Sequence, residues 1–139
     1  MTAEPAPALA ANRAFYAALE SRDPEAMATV WSRGGDVSCI HPGWHRLEGW
    51  DEISRSWRAI FASSRPWKVS VESERTFGSG AIAVVVCVEV LEAPGAAGEP
   101  ARMQATNVFR AEENGWRMVH HHASPMADPG RDAEDDTVN

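Results

Sequence analysis

The segment from Ala101 to Pro125 predicts a β-hairpin, and this element constrains the fold more than any other in the chain. Two runs with strand character flank the turn residues Glu113, Asn114 and Gly115. The C-terminal half of the chain is therefore expected to form an antiparallel sheet.

The turn type decides which polar side chains of this hairpin share a face. A two-residue turn made by the Asn-Gly dipeptide places Asn107 on the same face as His120 and His122. A three-residue turn that also includes the preceding glutamate pairs Asn107 with His121 instead. Both registers remain open. In either case the three consecutive histidines cannot form one cluster, because neighbours on a strand point to opposite faces.

The charge of the chain argues against nucleic-acid binding. The 139 residues carry a formal net charge of -7, whereas a phosphate backbone needs a basic footprint. Residues 128–139 hold five acidic residues and one arginine, so they account for four of the seven charges. We predict a flexible N-terminal segment over residues 1–8, one folded domain over 9–125 and a disordered acidic tail over 126–139.

Motifs for secretion, membrane insertion, cofactors and metals do not appear in the sequence. The N-terminus lacks a basic and apolar signal pattern, and Cys39 and Cys87 are a single distant pair. We therefore expect a cytoplasmic protein with reduced thiols and no membrane partner. No phosphate-binding loop, nucleophile elbow or metalloprotease motif is present, so no cofactor is predicted. Strand alternation leaves at most two of the three histidines for one ion, so no metal site is predicted either.

Three amphipathic helices and a short strand precede the sheet. Apolar side chains recur at helical spacing from about residue 6 to 21, and Asp23 with Pro24 is typical of the start of a second helix. A short alternating strand ends at His41, where Pro42 and Gly43 follow. The third helix begins after Gly49.

Everything after Pro66 has the pattern of β-structure. The run from Trp67 alternates apolar and polar residues, so one face of that strand is expected to contact water. The run from Ala81 to Leu91 is almost continuously apolar, which favours a central strand covered on both sides. The order of elements predicts an α+β fold with a four-stranded antiparallel meander.

The sequence resembles the nuclear transport factor 2-like superfamily, and its SnoaL-like branch in particular. The resemblance rests on FYAAL followed by Asp23-Pro24, on His41-Pro42, on the EGW motif of residues 48–50 and on the closing TNVFRAEENGWRMVHHHASP. It implies a cone-shaped, curved antiparallel sheet wrapped around three helices and enclosing an apolar cavity. It also implies a homodimer formed through the outer face of the sheet.

Comparison with ketosteroid isomerase implies roles for individual residues. His41 stands where that enzyme has its general base, just before a proline at the end of the short strand. Asn107 stands at the position of the protonated aspartate of the oxyanion hole, and the tyrosine position falls on Phe15, beside Tyr16. The base is therefore of a different type here.

A resemblance to the association domain of calcium/calmodulin-dependent kinase bears on the hairpin register. It places Cys87, Asn107 and Ala123 on the inward face, which favours the three-residue turn and puts His121 inside. His120 and His122 then face outward. The predicted substrate-binding residues are Phe15, Tyr16, Trp31, His41, Trp44, Trp57, Cys87, Asn107 and His121, and the catalytic candidates are His41, Asn107 and His121.

Three functional hypotheses follow. The first is a protein that binds a small apolar molecule in its cavity, since six tryptophans are many for this length. The second is an isomerase, dehydratase or cyclase in which His41 moves a proton and Asn107 polarises a carbonyl. The third is a non-catalytic assembly module that acts through the outer sheet face.

Overall fold

A computed structural model describes residues 5–95 and 97–127 of the chain. The helices are α1 (Pro5–Ser21), α2 (Pro24–Val30) and α3 (Trp50–Ser63); the strands are β1 (Ser38–Ile40), β2 (Leu47–Glu48), β3 (Lys68–Ser79), β4 (Ile82–Glu92), β5 (Ala101–Glu112) and β6 (Gly115–Pro125). Residues 5–8, which we assigned to a flexible segment, belong to α1. Residues 1–4 and the predicted acidic tail from 128 onward lie outside the described residues.

The helix starts follow the local chemistry of the sequence. The side chain of Asp23 accepts a hydrogen bond of 2.9 Å from the backbone N–H of Glu25, and Pro24 occupies the first turn of α2, which confirms the predicted cap. α2 ends at Val30, ahead of the glycine pair Gly34-Gly35. α3 begins after Gly49, whose φ of 85° suits glycine.

The sheet has six strands in the order β2-β1-β6-β5-β4-β3. Its last four strands in sequence form the predicted antiparallel meander. The otherwise antiparallel sheet contains one parallel pair, β1 with β6, which the sequence did not predict. No tight turn joins these two strands, so no hairpin geometry sets their relative direction. The two-residue β2 was not predicted; it pairs with β1 and extends the sheet. The fold is an α+β cone.

The hairpin register is set by a bulge rather than by the turn. Glu112 pairs with Gly115, so the loop consists of Glu113 and Asn114 and neither predicted turn was right. The register then shifts by one residue where Val119 has no partner on β5. Beyond this bulge Asn107 pairs with His121, as the three-residue turn required. The predicted pairing is confirmed, although its cause is different.

The core lies between the helices and the inner face of the sheet. Phe15, Trp31, Val85 and Phe109 are all fully buried there. β4 is not covered equally on its two faces, since Val84 and the other outward side chains of its first half are only partly buried. The expectation of a strand covered on both sides therefore fails for that half.

Candidate functional site

A group of buried polar side chains lies between α1 and the inner face of the sheet, and we call it the inner cluster. Helix α1 contributes Asn12 and Tyr16, one turn apart on the stripe that faces the sheet. Strand β4 contributes Glu89, which points inward because residues two apart on a strand share a face. Cross-strand pairing between β5 and β6 brings Asn107 and His121 together. All five side chains are buried.

The hydrogen bonds of the inner cluster run in one direction. Asn12 Nδ2 donates to the carboxylate of Glu74 at 2.9 Å, so its Oδ1 faces inward and accepts from Asn107 Nδ2 at 2.8 Å. Asn107 Oδ1 then accepts from His121 Nδ1 at 2.6 Å. An amide oxygen cannot donate, so neutral His121 carries its proton on Nδ1 and its Nε2 is an acceptor.

Tyr16 joins this chain to the buried carboxyl group of Glu89. The phenol accepts a second hydrogen bond from Asn107 Nδ2 at 3.0 Å and donates to Glu89 Oε2 at 2.7 Å. The same carboxyl oxygen lies 3.8 Å from the free Nε2 of His121. A carboxyl group and an unprotonated imidazole nitrogen therefore face each other in the protein interior.

Burial moves the pKa values of this pair in opposite directions. Loss of solvation raises the pKa of Glu89 to about 7, although the hydrogen bond from Tyr16 partly opposes the shift. Loss of solvation also holds the pKa of His121 well below its usual value, and the neighbouring histidines add to that effect. Near neutral pH Glu89 is therefore partly protonated while His121 is neutral, an arrangement typical of an acid and base pair.

His41 occupies a second buried position at the mouth of β1. The turn that follows has Pro42 and Gly43 at its centre, with Gly43 at φ 83°, and the backbone N–H of Trp44 donates to the carbonyl of His41 at 2.9 Å. The hydroxyl of Ser56 donates to a backbone carbonyl at 2.6 Å, so His41 Nε2–H donates to Ser56 Oγ at 2.8 Å. Burial lowers the pKa of His41 to about 4. Its Nδ1 is therefore unprotonated at neutral pH.

Aromatic rings connect His41 to the inner cluster. The ring of Trp57 lies 4.6 Å from His41 and 6.1 Å from His121, measured between centroids. Phe15 lies 4.8 Å from His121 and 5.7 Å from Trp57. Trp44 lies 4.8 Å from His41 on the other side and remains 43% exposed. A row of rings thus leads from the surface to the inner cluster.

The structure brings together most of the predicted site residues. Cys87 lies with its Sγ 3.5 Å from the hydroxyl of Tyr16. Trp31 is buried, but its indole packs 6.2 Å from Trp50 rather than on the histidines. The residues that meet around the inner cluster and His41 are Phe15, Tyr16, His41, Trp44, Trp57, Cys87, Asn107 and His121.

The two outer histidines lie on the opposite side of β6. His120 is half-buried and shares a 2.7 Å hydrogen bond with the hydroxyl of Ser38. His122 is exposed, and its ring lies 6.3 Å from that of His120. In the part of the chain that the structure describes, no three His, Cys, Asp or Glu side chains are arranged to hold a metal ion.

Sequence reasoning missed Asn12, Ser56 and Glu89. Glu89 is the one charged residue between Ile82 and Leu91, so a polar residue within an apolar strand was an available signal. Asn12 and Ser56 lie on the apolar stripes of α1 and α3, where polar residues are uncommon unless they have buried partners. Interruption of an apolar pattern therefore marked each of these three positions.

Pockets at the surface are lined by residues outside the inner cluster. One of about 520 Å³ is lined by Arg33, Trp50 and Arg55, among others, and another of about 510 Å³ by Glu72 and Arg102, among others. The side chains of the inner cluster contact one another instead. A ligand that reaches them has to displace side chains, and Trp44 is the exposed member of the row that leads inward.

Comparison with known proteins identifies the family. The SnoaL-like domain matches residues 8–128. The chain belongs to the SnoaL-like domain family. A structure from Thiobacillus denitrificans, provisionally assigned as a calcium/calmodulin-dependent protein kinase type II association domain, is 37% identical, with a TM-score of 0.80 over 86% of this chain and 94% of the other. A structure from Streptomyces avermitilis, provisionally assigned as a dehydratase of the nuclear transport factor 2-like family, is 33% identical, with a TM-score of 0.80 over 88% and 96%.

A curated relative is much longer than the region that it shares with this chain. The F-box protein SKIP8 of Arabidopsis thaliana is 30% identical over 118 residues, which cover 85% of this chain and 49% of that protein. The chain thus spans about half the length of this relative. None of the helices that the structure describes is long and apolar enough to cross a membrane.

Proposed function

We propose that this SnoaL-like protein binds a small, largely apolar molecule beside the inner cluster. We propose further that it removes a proton from this molecule or returns one to it, in chemistry of the isomerase or dehydratase type. The observation that carries the proposal is the buried carboxyl group of Glu89, held 3.8 Å from an unprotonated imidazole nitrogen of His121. A group whose pKa is about 7 can both accept and release a proton at neutral pH. The 33% identity to the protein assigned as a dehydratase supports this class of chemistry.

The proposed roles differ from those that the sequence suggested. Glu89 is the proton-transfer group, and His121 Nε2 is the partner that takes up or returns the proton. Asn107 uses both amide hydrogens and its oxygen inside the cluster, so we assign it to positioning His121 and Tyr16 rather than to polarising a carbonyl. His41 is buried and neutral, and we place it in the path of the ligand.

A purely structural role explains the inner cluster less well. Replacing buried ionisable groups by apolar side chains of similar volume is often neutral or stabilising, so stability alone does not require a glutamate and a histidine here. Perturbed carboxyl groups with a specific partner concentrate at functional sites. The inner cluster has a carboxyl group with a perturbed pKa and a specific partner for it, and its side chains come from four different elements of the fold.

The proposal is tested with 5-nitrobenzisoxazole, an apolar probe whose C3–H proton is removed by a base while its N–O bond breaks to give a coloured phenolate. The wild type should open this ring with a rate that rises through about pH 7, as Glu89 loses its proton. Glu89→Gln should remove that activity. Glu92→Gln makes the same chemical change at an exposed position of the same strand and should retain it.

The comparison of the two variants decides between the outcomes. Equal activity in Glu89→Gln and the wild type would contradict the proposal. The same conclusion follows if the wild type shows no rate above that of Glu89→Gln at any pH between 5 and 9.

A second candidate function is assembly through the outer face of the sheet, for which the exposed apolar side chains are the specific observation. Phe77 is 60% exposed and Ile82 is 40% exposed, and they flank the partly buried Val84 and Val86 on β4. A contiguous apolar surface of this kind is typical of a protein interface. The 37% identity to a protein assigned as an association domain points the same way. We propose a homodimer whose two copies pack these faces together.

A further inference from the structure

Strand β3 contains a bulge that turns one carboxylate toward the inner cluster. The pairing of β3 with β4 shifts between Glu72 and Arg75, so Ser73 and Glu74 form the bulge. Ser73 has a φ of 57°, a left-handed conformation that is unusual for serine. Partly buried side chains alternate along β3 up to Val71 and resume at Glu74, three positions later. Regular alternation would turn Glu74 to the outer face, so the bulge is what directs it inward.

The carboxylate of Glu74 lies between a surface cation and the inner cluster. Its Oε1 lies 3.2 Å from the guanidinium of Arg13, and its Oε2 accepts from Asn12 Nδ2 at 2.9 Å. The side chain of Arg13 is 68% exposed and that of Glu74 is 19% exposed. An ionised carboxylate only accepts hydrogen bonds, and a guanidinium only donates them. Glu74 therefore decides which end of the Asn12 amide points inward.

The later hydrogen bonds of the inner cluster follow the direction that Glu74 sets. Because Asn12 gives an amide hydrogen to Glu74, its oxygen is the atom that faces Asn107 and accepts at 2.8 Å. Asn107 turns its own oxygen to His121, so His121 has to donate from Nδ1, at 2.6 Å. The unprotonated Nε2 of His121 is then the atom that lies 3.8 Å from Glu89.

The same side chains can also bond in the opposite direction. With the amide of Asn12 turned over, Asn107 presents its NH2 to His121, and the imidazole proton has to lie on Nε2 instead of Nδ1. His121 would then donate toward the carboxyl group of Glu89 and could not accept a proton from it. A carboxylate at position 74 opposes this arrangement, because it would face the oxygen of the turned-over amide.

We infer that Glu74 is a positioning residue, which acts through two asparagines to hold the proton of His121 on Nδ1. It thereby keeps Nε2 free to accept a proton, and the chemical meaning of this role rests on the proposed function. The position of the proton is a property of the resting protein and is measured without a substrate. A carboxylate on the edge strand β3 thus sets the chemistry at the centre of the inner cluster.

The test follows the two ring nitrogens of His121 in the ¹⁵N-labelled full chain by NMR at pH 6, where burial keeps this imidazole neutral. A protonated ring nitrogen resonates far upfield of an unprotonated one. The signals are assigned from contacts to the ring of Phe15, which lies 4.8 Å away between centroids. The wild type should have its upfield signal at Nδ1. Glu74→Lys replaces an acceptor by a donor and should move the upfield signal to Nε2.

Glu72→Lys is the matched control for the change of charge. It makes the same substitution on the same strand, but Glu72 is exposed and pairs with Arg102 at 3.4 Å. The His121 signals of this variant should stay at their wild-type positions. An effect that is confined to Glu74→Lys would therefore come from the hydrogen bond to Asn12 and not from a general change in electrostatic potential.

Glu74→Gln decides the question if the lysine variant does not fold. Its amide oxygen can accept from Arg13 while its NH2 faces Asn12, which favours the reversed direction. The two nitrogen signals of His121 should then move toward each other, because both tautomers are populated. Unchanged signals in Glu74→Gln would overturn the role of Glu74 in that case.

Three other results would also overturn it. The first is a wild type whose His121 proton lies on Nε2. The second is a folded Glu74→Lys variant with wild-type signals, and the third is the same change of signals in Glu72→Lys. The ring-opening assay is independent of these measurements. A moved proton in Glu74→Lys together with a wild type that fails to open the ring would contradict the proposed function alone.

Discussion

The two faces of strand β6 place three consecutive histidines in different surroundings. His121 on the inner face is buried and its Nδ1 is bound to Asn107 at 2.6 Å. Its neighbours His120 and His122 on the outer face are half-buried and exposed, with Ser38 and each other as their contacts. The same side chain is therefore a buried group that donates a hydrogen bond from Nδ1 on one face and a surface group on the other. Position on the sheet, rather than residue type, decides its chemistry.

The largest expected difference between the faces is in stability, and Asn107→Ala tests it. The substitution leaves Asn12, Tyr16 and His121 without their buried partner. We expect the free energy of unfolding to fall by about 4 kcal/mol, since each unsatisfied buried group carries a penalty. Thr106→Ala, on the exposed face of the same strand, should change it by less than about 0.5 kcal/mol. Urea unfolding measures both, and equal losses would contradict the comparison.

The second prediction concerns the pH dependence that Glu89 introduces. Its pKa is raised from 4.5 to about 7 on folding, so the folded state holds the proton more tightly than the unfolded state. The contribution to stability is present below the unfolded value and is lost as the pH rises through 7. From pH 4.5 to 8, Glu89→Gln should therefore gain roughly 3 kcal/mol relative to the wild type.

Urea unfolding at a series of pH values checks this difference. Glu92→Gln, the exposed match on the same strand, should follow the wild type at every pH. A constant offset between Glu89→Gln and the wild type would refute the raised pKa.

The third prediction has the opposite sign and concerns His41. Its pKa is lowered from 6.5 to about 4 by burial, so the unfolded state binds the proton more tightly. The contribution of neutral His41 is present above the unfolded value and is lost as the pH falls through 4. Between pH 6.5 and 4 the wild type should lose roughly 3 kcal/mol more stability than His41→Asn.

His45 provides the matched control because it is exposed in the loop that follows. His45→Asn should lose stability in acid as the wild type does. If His41→Asn and His45→Asn have the same acid dependence, then His41 is not buried in the neutral form.

The smallest effect on folding is expected at the outer face, where Val86→Lys tests the proposed dimer. Val86 is partly buried on the outward side of β4, so a lysine can direct its charged end to water in the monomer. The free energy of unfolding of the monomer should change by less than about 1 kcal/mol, while the dimer should dissociate. Sedimentation velocity measures the oligomeric state. A wild type that is monomeric at high concentration would contradict the proposed interface. A Val86→Lys variant that remains dimeric would contradict it as well.

The sequence predicted the elements and the faces better than it predicted the site. Helical spacing, the Asp23 cap and strand alternation are local signals, and the structure confirms them. The turn of the hairpin was wrong because a bulge at Val119 depends on packing between strands, which no local pattern displays. The parallel pairing of β1 with β6 is also a long-range feature.

The contacts of the inner cluster join residues that are far apart in the sequence, so local sequence patterns did not predict them. The resemblance pointed to Asn107 and His121, but their proposed role depends on Glu89, which lies 18 positions before Asn107 in the sequence and on the adjacent strand. A single glutamate in an apolar strand stands out in the sequence, but it forms no repeating pattern that would indicate its partners. Its partner Tyr16 comes from a helix at the other end of the chain, so only the fold brings the two together.

The proposed proton transfer depends most on the protonation state of Glu89. Isotope-edited infrared spectroscopy of the chain labelled with ¹³C at the glutamate carboxyl groups, with Glu89→Gln as the reference for subtraction, measures this state directly. We predict a carboxylic acid C=O band that is present at pH 5.5 and disappears with a midpoint near pH 7. A Glu89 carboxyl group that ionises with an ordinary midpoint near 4.5 would contradict the account.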